Sequence, residues 1–214
     1  MNPRVSFAAA ALAALLFAPA VFADQDGRSD NFLLIDGLPS DIPREGTLIT
    51  IDVSTNQAWL LRDGVAIASS AVASGSDKIL RKNGRVWFFR TPRGRMTVQN
   101  KIVAPVWTKP DWAFIEEGKK VPPPDSPSRK VAGKLGRYAL DLGGGVLIHG
   151  TDDPKSIGKY ASHGCIRMPA KELAVFYREA TVGTPVYIFD SNPKPLSMTG
   201  LNSLEMTGLI KESR

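Results

Sequence analysis

Residues 47–74, TLITIDVSTNQAWLLRDGVAIASSAVAS, decide the fold that this chain is predicted to adopt. They form three short runs rich in valine, isoleucine and threonine, which are residues that favour β-strands. Asn56 and Gly64 separate the runs, and both residue types favour the tight turns that join neighbouring strands. The stretch therefore predicts an antiparallel strand meander at the start of a folded domain.

Further strand-like runs follow, and they are short. They are RVWFFR (85–90), MTVQNKI (96–102), YALDL (138–142), GVLIH (145–149) and PVYIFD (185–190). One helix is predicted to start near Pro169, a residue that suits a first helical position, and to end before Gly183. The chain is therefore expected to be mainly β, a sandwich or barrel with a single helix late in the sequence.

Three connections between these runs are irregular in sequence. Residues 74–85 are rich in glycine, serine and lysine and predict a loop, and the glycines 143–145 predict a tight turn. Residues 104–127 contain Trp107, Trp112 and several prolines without a clear period. Long irregular segments in compact domains often cover a binding site. We therefore expect residues 104–127 to be a lid or a binding loop.

Composition excludes several classes of protein. The 214 residues suffice for one compact domain, and the hydrophobic (43%) and charged (22%) fractions are ordinary for a globular protein. The formal net charge is +6, but the basic residues are scattered and form no arm that would bind nucleic acid. No motif for a cofactor is present, so no cofactor and no nucleic-acid partner are predicted.

The N-terminus predicts export. Arg4 precedes an apolar run, and small residues at Val21 and Ala23 suit a cleavage site, so residues 1–23 are predicted to be a signal peptide. A membrane anchor is the alternative, but the strongly apolar residues 7–22 are fewer than the roughly 20 that span a bilayer. We expect an N-terminal leader (24–46), a tail (191–214) and no stable membrane span after cleavage, which places the protein in the periplasm or cell wall.

The scarce reactive residues of the chain lie together. It has two histidines and one cysteine, and all three fall within residues 147–168. A thiol becomes a strong nucleophile when an imidazole takes its proton and holds the thiolate in an ion pair. Cys165 is therefore the predicted nucleophile, and His149 or His163 is its base. The residues themselves favour His149 only slightly.

Two other interpretations of this cluster compete with a catalytic pair. His149, His163 and Cys165 could be zinc ligands, with Asp152, Asp153 or water as a fourth, although no second cysteine or third histidine is present. Cys165 could instead be an inert buried residue, but serine, histidine and glycine neighbours do not make an apolar environment. We therefore predict no metal site and a reactive cysteine.

Two motifs in this region occur together in one known family. HGT at 149–151 and SHGCIRM at 162–168 resemble the L,D-transpeptidase catalytic domain, also called YkuD. TPRGRMTV at 91–98 is similar to that family's Thr-Pro-x-Gly turn, and the opening meander and PVYI resemble its first and last strands. The resemblance covers residues 47–189, and the predicted catalytic domain is 47–190.

The resemblance implies a mainly β domain with a helix after the catalytic motif, and a role for several residues. Cys165 would be the nucleophile, His149 the general base and then acid, and the Gly150 carbonyl the group that orients His149. The amides of His163, Gly164 and Cys165 would form the oxyanion hole. Ser162 and Arg167 match motif positions and would bind substrate or support the site. We also expect the cleft to be lined by aromatic side chains: Trp107, Trp112 and Tyr138.

The implied reaction acts on peptidoglycan stem peptides. Cys165 would attack the carbonyl at the L-centre of the third residue, D-alanine would leave, and an amine would accept the acyl group to form a cross-link. If water is the acceptor, the enzyme is an L,D-carboxypeptidase or a hydrolase. If an outer-membrane protein is the acceptor, it is an anchoring enzyme. A non-catalytic wall-binding module is the alternative outside enzymes.

Overall fold

The structure is a computed structural model that describes residues 42–192. The predicted signal peptide (1–23), most of the leader (24–46) and nearly all of the tail (191–214) lie outside the described residues, so these assignments remain predictions. No helix within residues 42–192 is long and apolar enough to cross a membrane.

Strands make up most of the regular structure, with two α-helices between them. The strands are β1 (Thr47–Asp52), β2 (Gln57–Arg62), β3 (Val65–Ala71), β4 (Ser74–Gly75), β5 (Ile79–Lys82), β6 (Arg85–Phe88), β7 (Gly94–Thr97), β8 (Asn100–Val103), β9 (Trp107–Thr108), β10 (Lys130–Val131), β11 (Tyr138–Asp141), β12 (Leu147–His149), β13 (Tyr160–Ser162), β14 (Ile166–Arg167) and β15 (Pro185–Phe189). The helices are α1 (Asp111–Glu116) and α2 (Ala170–Glu179). The prediction of a mainly β domain is confirmed.

The first sheet contains the predicted meander. Its strand order is β3-β2-β1-β15-β7, and β1, β2 and β3 pair antiparallel in sequence. Asn56 and Gly64 both have positive φ, as the turns between these strands require. The last strand of the domain, β15, lies parallel to β1 and antiparallel to β7. The C-terminal strand therefore lies inside this sheet, with a partner on each side.

The second sheet carries the reactive residues. Its order is β14-β12-β11-β8, with β12 parallel to β14 and antiparallel to β11. The main core unites side chains of both sheets, including Ile49, Leu60, Ile148 and Ile166, which are all fully buried. Helix α2 follows β14 and completes this core with Leu173 and Phe176. The helix predicted near Pro169 is confirmed, and Pro169 is its N-cap.

On β12 and β14, alternate side chains point into the hydrophobic core and towards the opposite face, where the reactive residues lie. Ile148 is paired with Ile166, and both side chains lie in the core. Successive side chains of a strand point to opposite faces, so the neighbouring pair His149 and Arg167 lies on the other face. Cys165 lies in the turn just before Ile166 and lines the same cavity as His149 and Arg167. The apolar register of two short strands therefore directs the reactive residues towards one side of the sheet.

Two segments predicted as irregular contain regular structure. Residues 74–85 are predicted from their composition to be a loop, but β5 pairs with β6 as a hairpin closed by Asn83 and Gly84, both with positive φ. Strand β5 is basic and mostly exposed, so it lacks the apolar pattern that marks a buried strand. Residues 104–127 contain α1, whose six residues are too few to show a helical period.

Candidate active site

The predicted reactive residues line one cavity of about 930 Å³. His149, Ser162, His163, Gly164, Cys165 and Arg167 all contribute to its wall. Further lining comes from residues 104–127, including Trp107, Trp112 and Glu116. We call residues 104–127 the cover segment. The prediction that this segment forms part of a binding site is consistent with its place in the wall of the same cavity as the cysteine and histidine.

His149 is buried and held in one orientation. It ends β12, and its Nδ1 lies 2.5 Å from the carbonyl oxygen of Gly150. A carbonyl can only accept a hydrogen bond, so Nδ1 carries the proton and Nε2 keeps the free lone pair. The geometry expected for the Gly150 carbonyl is therefore present. Gly150 also packs closely against Gly136, where a Cβ would come within 3.0 Å of the Gly136 Cα.

Cys165 lies at the tight turn that joins β13 to β14. Its thiol donates a hydrogen bond to the carbonyl of Gly145, at a distance of 3.5 Å from sulfur to oxygen. Gly145 belongs to the predicted glycine turn, in which residues 143, 144 and 145 all have positive φ. None of the hydrogen bonds within residues 42–192 joins Cys165 directly to His149. Catalytic hydrogen bonds are often long or misaligned before substrate binds.

The pKa shifts of the two groups disfavour the ion pair that the sequence led us to expect at rest. Burial lowers the pKa of His149 to about 4; the positive charge of Arg167 lowers it further, while the Gly150 carbonyl and Asp152 oppose the shift. Burial raises the pKa of the Cys165 thiol, and a hydrogen bond with the Leu147 backbone and the charge of Arg167 only partly offset this effect. Both shifts favour a neutral thiol beside a neutral imidazole at neutral pH.

Ser162 fixes the backbone around the nucleophile. Its hydroxyl accepts a hydrogen bond from the Gly164 amide at 3.1 Å and donates one to the Cys165 carbonyl at 2.5 Å. The Gly164 amide is thus occupied, which contradicts its expected place in an oxyanion hole in this arrangement. The amides of His163 and Cys165 remain the candidates. Gly164 itself has φ of 129°, a conformation that suits glycine.

Thr91 is a supporting residue to which sequence reasoning gave no role. It is buried, and its hydroxyl accepts a hydrogen bond from the Gly75 amide at 2.8 Å and donates one to the Gly164 carbonyl at 3.0 Å. Thr91 opens the Thr-Pro-x-Gly stretch of the sequence, so this stretch braces the loop that carries Cys165. The motif marked the position, but its partner Gly164 is 73 residues away in sequence.

We expect Thr91→Val to destabilise the fold, because it leaves a buried amide and a buried carbonyl without their partner. Each such group costs about 1–3 kcal/mol, so for the two groups the free energy of unfolding should fall by about 2–6 kcal/mol. Urea denaturation measures this change. Thr91→Ser keeps the hydroxyl and is the matched control. Equal stability of the valine and serine variants would contradict the role given to the hydroxyl.

His163 points towards the cover segment. Its Nε2 lies 2.8 Å from the Glu116 carboxylate, and its ring stacks on Trp112 with centroids 3.9 Å apart. Phe89 meets the same ring edge-on at 4.4 Å. Burial lowers the pKa of His163, while Glu116 opposes that shift. The side chain of His163 is therefore engaged with α1, whereas the Nε2 atom of His149 makes no hydrogen bond within residues 42–192.

A second buried residue, to which the sequence motifs gave no role, holds the two ends of the cover segment together. Arg129 is only 5% exposed and donates hydrogen bonds to the carbonyls of Lys109, Pro122 and Pro123. It also forms an ion pair with Asp111 at 2.7 Å. Because one guanidinium joins both ends of the segment, it helps to hold the tryptophans of the segment in the cavity wall.

The expectation for Tyr138 is wrong. On β11, Ala139 pairs with His149, so Ala139 shares the site face and Tyr138 lies on the opposite face. There Tyr138 packs against the core and stacks on Tyr177 of α2, with centroids 4.4 Å apart. Trp107 and Trp112 do line the cavity, as expected.

The zinc interpretation finds no matching geometry. Among residues 42–192, no three histidine, cysteine, aspartate or glutamate side chains are grouped so that they could hold a metal ion. His163 is bonded to Glu116, and Asp152 forms an ion pair with Lys134 at 2.8 Å. The described site therefore consists of a cysteine, an oriented histidine and an arginine.

Comparison with known proteins identifies the family. Residues 46–188 match the YkuD family, the L,D-transpeptidase catalytic domain. YqjB of Bacillus subtilis strain 168 is 31% identical over 145 residues, covering 67% of this chain and 72% of that protein. YbiS of Escherichia coli K12 is 26% identical over 196 residues, covering 79% of this chain but only 58% of that protein. The names of both relatives place them among the L,D-transpeptidases.

A solved structure shares the fold. The crystal structure of an L,D-transpeptidase from Xylanimonas cellulosilytica superimposes with a TM-score of 0.52 at 19% identity, over 71% of this chain and 64% of that one. The family match and the YqjB relative agree with the fold and with the motifs quoted from the sequence. This chain belongs to the L,D-transpeptidase catalytic domain family.

Proposed function

We propose that this protein is an exported peptidoglycan L,D-transpeptidase in which Cys165 is the nucleophile and His149 the general base and acid. The observation that carries the proposal is the pairing of β12 with β14, because it brings His149 and the Cys165 strand to one wall of the cavity. The family assignment supports the reaction class. The substrate, the acceptor and the residue roles are proposals.

Acylation starts from the neutral thiol of Cys165 and the neutral imidazole of His149. Cys165 Sγ attacks the carbonyl carbon at the L-centre of the third stem residue, while Nε2 of His149 takes the thiol proton. The carbonyl oxygen becomes an oxyanion, for which the amides of His163 and Cys165 are the candidate donors. When the tetrahedral intermediate collapses, the C–N bond breaks and His149 returns the proton to the amine of the departing D-alanine. The product is a thioester.

Transfer reverses these proton movements. An amine of a second stem attacks the thioester carbonyl, and His149 takes a proton from the attacking nitrogen. The C–S bond then breaks, an amide bond remains as the cross-link, and the thiol regains its proton. His149 needs its lone pair at both attacks, which a pKa of about 4 provides at neutral pH. The Gly150 carbonyl keeps Nδ1 protonated throughout.

The test uses the mature protein with a disaccharide-tetrapeptide and follows the products by mass spectrometry. We expect a cross-linked dimer with loss of one D-alanine, and no dimer from Cys165→Ala. A folded Cys165→Ala protein that still forms dimer would contradict the proposal. The alanine variant should unfold at a similar temperature, because Cys165 is partly exposed and its thiol makes one long hydrogen bond.

Other products would reassign the acceptor. Tripeptide alone would identify an L,D-carboxypeptidase, in which water attacks the thioester. No product from soluble muropeptide, but attachment of a lysine-bearing protein to isolated wall, would identify an anchoring enzyme. Binding to wall that is equal in wild type and Cys165→Ala, with no product of any kind, would identify a non-catalytic binding module.

A further inference from the structure

Arg167 differs from the other charged side chains that line the cavity. Each of the others has an ionic or hydrogen-bonding partner: Arg90 with Asp77, Glu116 with His163, Glu117 with Lys109 and Lys119, and Lys134 with Asp152. Within residues 42–192, no carboxylate lies at ion-pair distance from the half-buried Arg167, and its guanidinium makes no hydrogen bond there. The cavity therefore presents one cation without a counter-charge.

This cation faces the reacting groups. Its charge contributes to lowering the pKa values of His149, Asp152 and His163, and it opposes the rise in the pKa of Cys165. Arg167 also pairs directly with His149 across β12 and β14. A cation left unpaired in a half-buried site is costly, and a planar guanidinium is well suited to bind a carboxylate with two parallel hydrogen bonds.

The distance from Cys165 limits which substrate group Arg167 can meet. Cys165 and Arg167 are two residues apart, so their Cα atoms lie at most roughly 7 Å from each other. Both residues line the same cavity. In a tetrapeptide donor, the terminal carboxylate lies only one residue beyond the carbonyl that Cys165 attacks. Where the third residue is a diamino acid that bears a side-chain carboxylate, that carboxylate lies at a comparable reach. Either group can approach the guanidinium while the carbonyl is at the sulfur.

We propose that Arg167 binds a carboxylate of the donor stem peptide and thereby determines which donors are acylated. This inference rests on the proposed function. The carboxylate comes from the C-terminal D-alanine or from the diamino acid, and the two sources share the chemistry that Arg167 recognises. Amidation of the recognised carboxylate removes its charge and one acceptor, so it separates the sources.

The experiment compares three tetrapeptide donors with wild type, Arg167→Gln and Arg167→Lys. The donors carry free carboxylates, a C-terminal D-alaninamide or an amidated diamino acid. We expect one of the two amidations to lower kcat/KM of wild type by roughly 10- to 100-fold, the range for a hydrogen bond between charged groups. Arg167→Gln should lose a similar factor with the free donor and respond little to that amidation. Arg167→Lys should keep part of the preference.

A control separates carboxylate binding from an effect on the thiol. Because Arg167 also opposes the rise in the Cys165 pKa, Arg167→Gln should slow alkylation of Cys165 by iodoacetamide and slow reaction with every donor alike. An effect on the thiol slows all donors equally, so it leaves the ratio of kcat/KM between the free and amidated donors unchanged. Far-ultraviolet circular dichroism checks that the variants are folded. The comparison of the three donors with wild-type protein tests the carboxylate anchor without any substitution.

The outcomes are distinguishable. Wild type that turns over all three donors equally well would overturn the carboxylate anchor and leave the transpeptidase proposal intact. The carboxylate anchor is also overturned if Arg167→Gln keeps the full wild-type preference between free and amidated donors. Wild type that processes none of the donors would overturn both proposals together.

Discussion

Replacing His149 by alanine is expected to slow acylation of Cys165 by roughly 10²- to 10⁴-fold, the usual contribution of a general base. The thiol has a raised pKa, so almost none of it is ionised at neutral pH without a base. His149 supplies the lone pair, because its Nδ1 proton is held by Gly150. The rate of adduct formation with a carbapenem, followed by mass spectrometry of the intact protein, measures the effect.

His163→Ala is the matched comparison, since it removes the other histidine of the chain. Its imidazole is bonded to Glu116 and stacked on Trp112, so its loss should loosen the cover segment without removing the base. We expect acylation to slow by no more than about tenfold, the worth of one stacked pair or hydrogen bond. A larger loss in His163→Ala would assign the base to His163, and equal losses in the two variants would contradict the assignment to His149 alone.

The choice between the two histidines shows where the sequence stops being informative. Scarcity alone placed Cys165, His149 and His163 in one site, because reactive residues gathered in 22 positions of a chain with no others are unusual. Their directions depend on distant partners. His163 turns towards Glu116, which lies 47 residues away, and His149 faces the cavity because Ile148 faces the core. Neither contact can be inferred from the short sequence motifs alone.

Strand faces explain the wrong expectation for Tyr138. The run YALDL showed a strand, but the face that each residue takes depends on its register with β12, where Ala139 meets His149. An aromatic residue near a site motif therefore could not be assigned to the cleft without that register. The hairpin at β5 and β6 is different, because Asn83 and Gly84 form a strong turn signal in the sequence itself.

Gly164 and Thr91 show that the sequence predicts the local conformation around Cys165 but not its hydrogen bonds to distant residues. Glycine before the cysteine predicted a sharp turn, and the positive φ of Gly164 confirms it. Which amides of the turn are available depends on Ser162, whose hydroxyl occupies the Gly164 amide. Thr91 reaches the same turn from another part of the chain. Local conformation was thus predictable, whereas hydrogen bonds between distant segments required the fold.

The rate of acylation should stay nearly level from neutral pH to about pH 5 and fall tenfold per pH unit below about pH 4. The active base is neutral His149, whose pKa is lowered to about 4 by burial and by Arg167. Because the pKa of His149 is lowered, its imidazole stays neutral down to a more acidic pH. An imidazole with an ordinary pKa of about 6.5 would be only about 3% neutral at pH 5, so the two cases differ by about 30-fold there.

Stability must be followed in the same pH range. Because the folded protein resists protonation of His149 and the unfolded chain does not, this residue stabilises the fold fully above about pH 6.5. That contribution is lost as the pH falls towards 4, and it amounts to about 3 kcal/mol. Acylation should therefore be measured after brief pH jumps, with tryptophan fluorescence confirming that the protein is folded at each pH.

A preformed ion pair predicts a different profile. It would require a raised His149 pKa and a lowered Cys165 pKa, so thiolate absorbance and rapid alkylation would persist well below neutral pH. The neutral pair predicts little thiolate at pH 7 and alkylation that rises only on the alkaline side. Thiolate absorbance at neutral pH, with rapid alkylation that persists well below pH 7, would show that substrate-free Cys165 is already ionised by His149. An acid limb near pH 6.5 without thiolate absorbance would instead give His149 an ordinary pKa and contradict the lowered one.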